Sequence, residues 1–198
     1  MSQKDSWDLL YERDDRLWKR GPDVVLPFEG KVLELGVGNG KGLAALSSRT
    51  EPIGLDFSRR ALLSCRRWHS LPLLQGDVTA LPFQDRCLPC ITASHLFGHL
   101  MLAERQKAAK EIVRVLSDDG RLYLSVFGDG DMRFGKGREI EERTFERGNG
   151  IICHYFQEGE AASLFPDMHL ELEWVRTVSK RYYGREEVRQ ERRALLCK

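Results

Sequence analysis

The chain has no run of about 20 apolar residues, the length a helix needs to cross a hydrocarbon core, so no membrane-spanning helix is expected. It has no strong excess of charge of either sign. Its 31 Lys and Arg offset 30 Asp and Glu to a formal net charge of +1, without the global basic field that nucleic-acid binders often show. Cysteine is scarce and odd in number, with five residues. Only Cys87-Leu-Pro-Cys90 makes a C-x-x-C pair, and Cys65, Cys153 and Cys197 do not add a second pair at zinc-site spacing, so no metal site is expected. Cys90 to Ser94 spans roughly 13 Å if read as strand. That puts both thiols away from the carboxyl end, where ligands of open α/β sheets bind. They read as buried structural cysteines, and Pro89 between them suits a strand start or a bulge. Met1-Ser-Gln-Lys-Asp-Ser-Trp7 lacks the apolar core of a signal peptide, so a cytoplasmic protein is expected. No internal repeat or low-complexity segment stands out. A chain of 198 residues with 41% hydrophobic content is expected to fold as one domain over residues 1–198, without disulfide staples.

Two nucleotide-loop signatures are also missing, and their absence is informative. A phosphate-cradling loop needs G-x-x-x-x-G-K-[ST]. Gly40-Lys41 supplies the G-K pair, but residue 42 is Gly and residue 35 is Leu. The dinucleotide fingerprint G-x-G-x-x-G has Gly36 and Gly38, but its third glycine would fall on Lys41. What stands instead is Lys31-Val-Leu-Glu-Leu-Gly-Val-Gly-Asn-Gly40. Val32, Leu33 and Leu35 read as a buried strand. Gly36, Val37, Gly38, Asn39 and Gly40 read as a turn whose backbone N–H groups can approach a ligand closely, because its glycines carry no Cβ. The turn opens a helix, whose first N–H groups await a partner. Glu34 ahead of the first glycine would repel pyrophosphate. It suits a cationic ligand without phosphate, and S-adenosylmethionine (SAM), with its sulfonium and amino group, is such a ligand.

Two further acids end successive strands. Pro52-Ile-Gly-Leu-Asp56 places Asp56 20 positions after Gly36, where a doubly wound fold keeps the carboxylate that binds a ribose diol. Phe57 follows and can lie on an adenine face. Leu73-Leu-Gln-Gly-Asp77-Val78 ends a third strand, so that Asp77 can accept from the adenine amine and the Val78 N–H can reach the ring.

Together these residues resemble the SAM-binding half of the class I methyltransferases, of the small single-domain, type 11-like kind. Val32–Gly40 matches the first motif and Asp56 the ribose acid. Gly76-Asp77-Val78 through Phe83 matches the third motif, and Ile91–Leu100, which includes Ser94, matches the segment after the fourth strand. The resemblance implies an α/β fold with a doubly wound, Rossmann-like seven-stranded sheet of order 3-2-1-4-5-7-6, strand 7 antiparallel. It implies SAM as methyl donor and S-adenosyl-L-homocysteine as product, with Ser94 in the cofactor site. It also implies an N-terminal helix over the cofactor, bringing Tyr11 and Trp7 to the site, and histidines His95 and His99 near the methyl group.

The remaining elements are expected as follows. A helix spans residues 3–20, with Trp7, Leu10, Tyr11 and Trp18 on its apolar face, and Gly21-Pro22 ends it. Helices follow at 40–48 and 58–69, the second capped by Ser58. Strand four covers 88–93, a helix 103–116 and strand five 121–127. This alternation is a parallel-sheet pattern. Residues 128–157, rich in glycine and charge, break it, and a segment of that length is usually functional or disordered. It leaves the carboxyl end of strand five and reads as a substrate cap. Ile151–Phe156 is expected to return as a strand to the core, making His154 and Tyr155 candidate pocket residues. A helix at 158–165 and strands at 168–179 and 190–197 complete the plan. The chain then divides into an N-terminal helix (1–20), a SAM-binding half (31–127), the cap (128–157) and C-terminal sheet elements (158–198).

Methyl transfer is an in-line displacement that mainly needs its reactants held together. A general base is needed only if the nucleophile arrives protonated. His95, His99, His154 and Tyr155 are the candidates, and none is singled out. The expected acceptor is a small molecule or an unidentified biological acceptor. The basic stretch Lys180, Arg181, Arg185, Arg189, Arg192 and Arg193 leaves an anionic small molecule or an RNA backbone open. His154-Tyr155-Phe156 is faintly similar to wobble-uridine tRNA methyltransferases. The alternatives are therefore an RNA methyltransferase, or a non-catalytic SAM- or nucleotide-binding partner subunit.

Overall fold

The computed structural model describes residues 2–14, 25–182 and 184–198. Trp18 and Gly21-Pro22 lie outside the described residues. Among the described residues the chain runs α1 (Gln3–Arg13), β1 (Gly30–Leu35), a 3-10 turn (Lys41–Ala45), β2 (Thr50–Asp56), α2 (Arg59–Arg66), β3 (Leu73–Gln75) and β4 (Leu88–Ser94). A second 3-10 turn (Leu96–His99), α3 (Leu102–Val115), β5 (Leu116–Phe127), β6 (Arg138–Glu141), β7 (Thr144–Glu146) and β8 (Ile152–His154) follow, then α4 (Glu160–Ser163), β9 (His169–Tyr182) and β10 (Arg185–Cys197).

Seven strands form one sheet in the order β3-β2-β1-β4-β5-β10-β9. β1, β2, β3, β4 and β5 pair in parallel. β10 is antiparallel to both β5 and β9. This is the expected order, with β9 and β10 as the sixth and seventh strands. β1 is central, and Val32, Leu33 and Leu35 are fully buried on its two faces, as expected of a strand covered on both sides. Leu122, Leu124, Val126, Ala194 and Leu196 pack with Ala108, Ile112 and Val115 of α3 on one face. Apolar residues recur there at helical spacing, and α3 turns that stripe to the sheet. Val32, Cys90 and Tyr123 pack with Leu26, Phe28 and Ala45 on the other face.

Local chemistry sets the boundaries and corrects several expectations. Ser2 and Asp5 cap α1 reciprocally. The helix ends at Arg13, where Asp14 is extended at φ −147°, and residues 15–20 of the expected helix lie outside the described residues. The helix expected at 40–48 is a single 3-10 turn, since Gly40 stands in the left-handed region and Gly42 adds a second poor helix former. Ser58 caps α2 as expected, its hydroxyl accepting from Ala61 N–H at 3.0 Å. β5 begins at Leu116 rather than residue 121. Leu88 pairs with Leu116 and Cys90 with Arg121, so residues 117–120 bulge out of the ladder. Pro89 sits at that irregularity. Cys90 is buried but Cys87 is exposed, which corrects the reading of both thiols as buried. No cluster of metal-binding side chains occurs among the described residues. None of the described helices is long and apolar enough to cross a membrane.

Residues 128–157 are not a loop. They fold into a second, three-stranded antiparallel sheet of order β6-β7-β8. The strand expected at Ile151–Phe156 is its edge strand β8, reduced to Ile152–His154, and the helix expected at 158–165 is a single turn, α4. The small sheet is fixed over the end of β4. The Leu102 N–H donates to Glu141 at 3.0 Å, and His99 Nδ1 lies 2.7 Å from the Ile152 carbonyl.

Candidate functional site

Glu34 is the last but one residue of β1 and is 2% exposed. It lies in register between Gly54 of β2 and Thr92 of β4, and the Thr92 hydroxyl donates to its carboxylate. Room for that carboxylate comes from Gly42, where any Cβ would collide with it. Burial pushes the Glu34 carboxyl up to about 7, against the pull of the Thr92 hydrogen bond. The chain then turns through Gly36, Gly38 and Gly40, all with left-handed backbones at φ +66°, +56° and +85°. Gly36 and Val37 donate to the Leu55 carbonyl, at 2.8 and 3.0 Å.

Asp56 ends β2 beside this turn. Its carboxylate accepts from the Gly38 N–H and from the Ser58 N–H, each at 2.9 Å. One acid thus holds the glycine turn against the start of α2. Asp56 is 7% exposed, and burial pushes it up to about 6 despite those bonds. Phe57 is half-buried just after it. At the next strand end Asp77 is exposed and Val78 is buried. Asp77 Oδ1 accepts from the Thr79 N–H and hydroxyl, both at 2.8 Å. Ser94 is half-buried at the end of β4 and in register with Ser125 of β5.

α1 lies across this edge. The Ser58 hydroxyl donates to Asp8 at 2.6 Å. Tyr11 is buried, and its hydroxyl sits 2.5 Å from where a Cβ on Gly38 would stand. Trp7 packs edge-on to His99, ring centres 4.8 Å apart. At the other end Gln3 donates to the Gly150 carbonyl at 2.7 Å and accepts from the Ile152 N–H at 3.2 Å. The helix therefore joins the glycine turn, α2 and the small sheet.

A family model described as "Methyltransferase domain" matches residues 32–120, which carry Glu34, the glycine turn, Asp56, Asp77 and β4. Residues 32–120 are thus similar to a methyltransferase domain. The chain is 28% identical over 183 residues to a demethylmenaquinone methyltransferase of Renibacterium salmoninarum, covering 86% of this chain and 76% of that one. It is 35% identical over 116 residues to a demethylmenaquinone methyltransferase of Corynebacterium kroppenstedtii, covering 57% of this chain and 49% of that one. Apart from the Renibacterium protein, the chain spans about half the length of the curated relatives it matches. Among solved structures, a SAM-dependent methyltransferase from Methanosarcina mazei superposes with a TM-score of 0.71 at 21% identity, covering 87% of this chain and 94% of that one. That likeness is one of fold.

The second half of the candidate site lies beside the small sheet, where His99 meets the Ile152 carbonyl of β8. His95 follows β4 in the left-handed region, at φ 64°. Its ring stacks on Phe127, the last residue of β5, at 4.1 Å. Its Nε2 is 3.7 Å from Glu191, too far for a hydrogen bond. Burial, then Lys41, His99, Arg133 and Arg189, hold His95 well below 6.5. Burial pulls His99 down to about 4. Its contact to the Ile152 carbonyl makes Nδ1 the protonated nitrogen. His154 and Tyr155 are committed differently. Both His154 nitrogens are engaged, by Thr144 at 2.8 Å and Glu160 at 2.6 Å. Tyr155 is fully buried, its hydroxyl accepts from Arg147 at 3.0 Å, and its ring packs with Phe127, Phe134 and Phe145. The sequence reading missed Thr92, Gly42, Gln3 and Arg133, and named Arg189 only as part of the basic stretch near the end of the sequence. Thr92 is visible only through strand register, and Arg133 over Phe127 only once the chain is folded.

Proposed function

We propose that this chain is a SAM-dependent methyltransferase whose acceptor is a small molecule. The observation that carries the reading is the pairing of a buried Glu34 with a glycine turn that Asp56 braces. The residues present fit the cofactor. Glu34 is a buried carboxylate poised near neutral pH, and a cation beside it would hold it ionised. Each Asp56 oxygen accepts one backbone N–H and keeps lone-pair capacity for a ribose hydroxyl. Gly36, Val37, Gly38, Asn39 and Gly40 line the turn, while Phe57, Asp77 and Val78 stand where the adenine would lie. Ser94 and Tyr11 complete the set. When bound, SAM supplies a methyl group on a sulfonium that needs little activation. The chain's own contribution is to hold the two reactants in line and to exclude water. His95 and His99, held neutral just after β4, are the candidates to accept a proton from the acceptor.

The relatives named for demethylmenaquinone support a small acceptor. The experiment is transfer of labelled methyl from SAM in the presence of either a low-mass cell extract or total RNA. Label in a low-mass product is expected. Label in RNA would move the assignment to an RNA methyltransferase, and bound SAM without transfer to either would make the chain a non-catalytic SAM binder.

A further inference from the structure

β9, the part of β10 paired with the end of β5, and the segment 129–143 gather six arginines around three carboxylates. Asp131 is shared by Arg133 at 2.8 Å and Arg189 at 2.7 Å. Glu191 is shared by Arg193 at 2.7 Å and Arg176 at 3.9 Å. Asp129 is shared by Arg192 at 3.3 Å and Arg143 at 3.8 Å. A further acid near them, Glu142, is 3.8 Å from Arg143 but 91% exposed. Arg147 adds a guanidinium that donates to the Tyr155 hydroxyl. A chain with a formal net charge of +1 thus gathers positive charge where β10 pairs with the end of β5, with Arg189, Glu191 and Arg193 on the face toward His95 and Arg192 on the opposite face.

This charge is largely withdrawn from water. The side chains of Arg133, Arg189 and Arg192 are 15%, 19% and 12% exposed. The Arg133 guanidinium lies 4.0 Å from the centre of the Phe127 ring, on which His95 also stacks. Three nitrogens here are buried and meet no hydrogen-bond partner: Arg133 Nη2, Arg143 Nη1 and His95 Nδ1. Buried polar atoms are rarely left so, and each needs an explanation. Two of the three are guanidinium donors, so the missing partner is an acceptor. The surplus of cations over carboxylates makes it an anion.

We infer that the methyl acceptor is a small molecule bearing an oxyanion, a carboxylate or a phosphate ester, which docks on Arg133 at the end of β5. The inference rests on the methyltransferase reading above. Burial of these guanidiniums beneath a folded sheet suits a small anion entering the site. A polyanion would instead meet an exposed basic groove.

Isothermal titration into the full chain loaded with S-adenosylhomocysteine tests this with three probes that share one ring: benzoate, phenyl phosphate and methyl benzoate. At least one anion is expected to bind about tenfold more tightly than the neutral ester, and the stronger anion identifies the oxyanion. Arg133→Gln is expected to weaken that anion about tenfold and to leave S-adenosylhomocysteine affinity within about twofold. Equal binding of methyl benzoate overturns the inference. So does the absence of anion binding up to about 10 mM, or a folded Arg133→Gln chain that binds the anion unchanged. If that variant does not fold, the three probes on the native chain decide. Displacement of the bound anion by tRNA at physiological salt would assign the arginines to RNA and overturn the small-molecule inference. Failure of S-adenosylhomocysteine to bind would overturn the methyltransferase reading itself, and this inference with it.

Discussion

Glu34 and Asp56 are carboxylates that folding drives into an unfavourable place. Burial raises Glu34 from 4.5 to about 7. The folded chain therefore holds a proton there that the unfolded chain releases, so this residue's contribution to stability falls as pH rises from about 4.5 to about 7. Glu34→Gln removes that loss. It is expected to be more stable than the native chain at pH 8, by on the order of 3 kcal/mol, in urea unfolding. The same substitution should abolish much of the affinity for SAM, and a chain both less stable and unimpaired in binding would refute the role given to Glu34. Asp56→Ala is expected to weaken SAM by about 1.5–3 kcal/mol, through loss of a charged acceptor for the ribose hydroxyls. Titration of the variant checks this, and unchanged affinity would remove Asp56 from the site. Both acids were legible in the sequence because each ends an apolar run. Thr92 and Gly42 were not. Their meaning depends on which residue lies opposite Glu34 across the sheet or above it, and that is a property of register.

Among the elements, α1 and the small sheet hold the two halves of the site together. His154 ties β7 and β8 to α4 through Thr144 and Glu160. His154→Ala takes one hydrogen bond from the buried Thr144 and one from the partly exposed Glu160, and a loss of about 1–3 kcal/mol is expected in chemical unfolding. SAM affinity should stay unchanged, since His154 touches neither the glycine turn nor Asp56. A large loss of SAM affinity with normal stability would give His154 the direct role that the sequence suggested. α1 is held at Gln3, Asp8 and Tyr11 to three different elements, so a ligand on the glycine turn is expected to slow amide exchange along Gln3–Arg13. Exchange indifferent to SAM would separate the helix from the site. The sequence showed the order of elements better than their lengths. α1 ends at Arg13, where Asp14 turns extended, and the 40–48 helix shrinks because glycines flank Lys41. The small sheet was hidden because its strands are three or four residues long and lie among glycines and charges.

At the scale of the molecule, the sheet order and the strand-ending acids converge on one edge, and the matched segment, residues 32–120, holds nearly all of them. That half was legible because parallel strands are continuous apolar runs and ligands bind at their carboxyl ends. The other half was legible only in part: the basic stretch holding Arg189, Arg192 and Arg193 stood out, but not that folding brings Arg133 beside it over Phe127. Ligand binding to the folded chain should raise its stability by about 2.7 kcal/mol when SAM is at 100 times its dissociation constant. A thermal shift that grows with SAM and is lost in Asp56→Ala would follow. The most direct measurement is isothermal titration of SAM into the whole chain at pH 6 and pH 8, with NAD as control. The account predicts one SAM per chain, tighter at pH 8 because Glu34 ionises near 7, and no NAD binding. No binding at millimolar SAM, or NAD bound in its place, would contradict it.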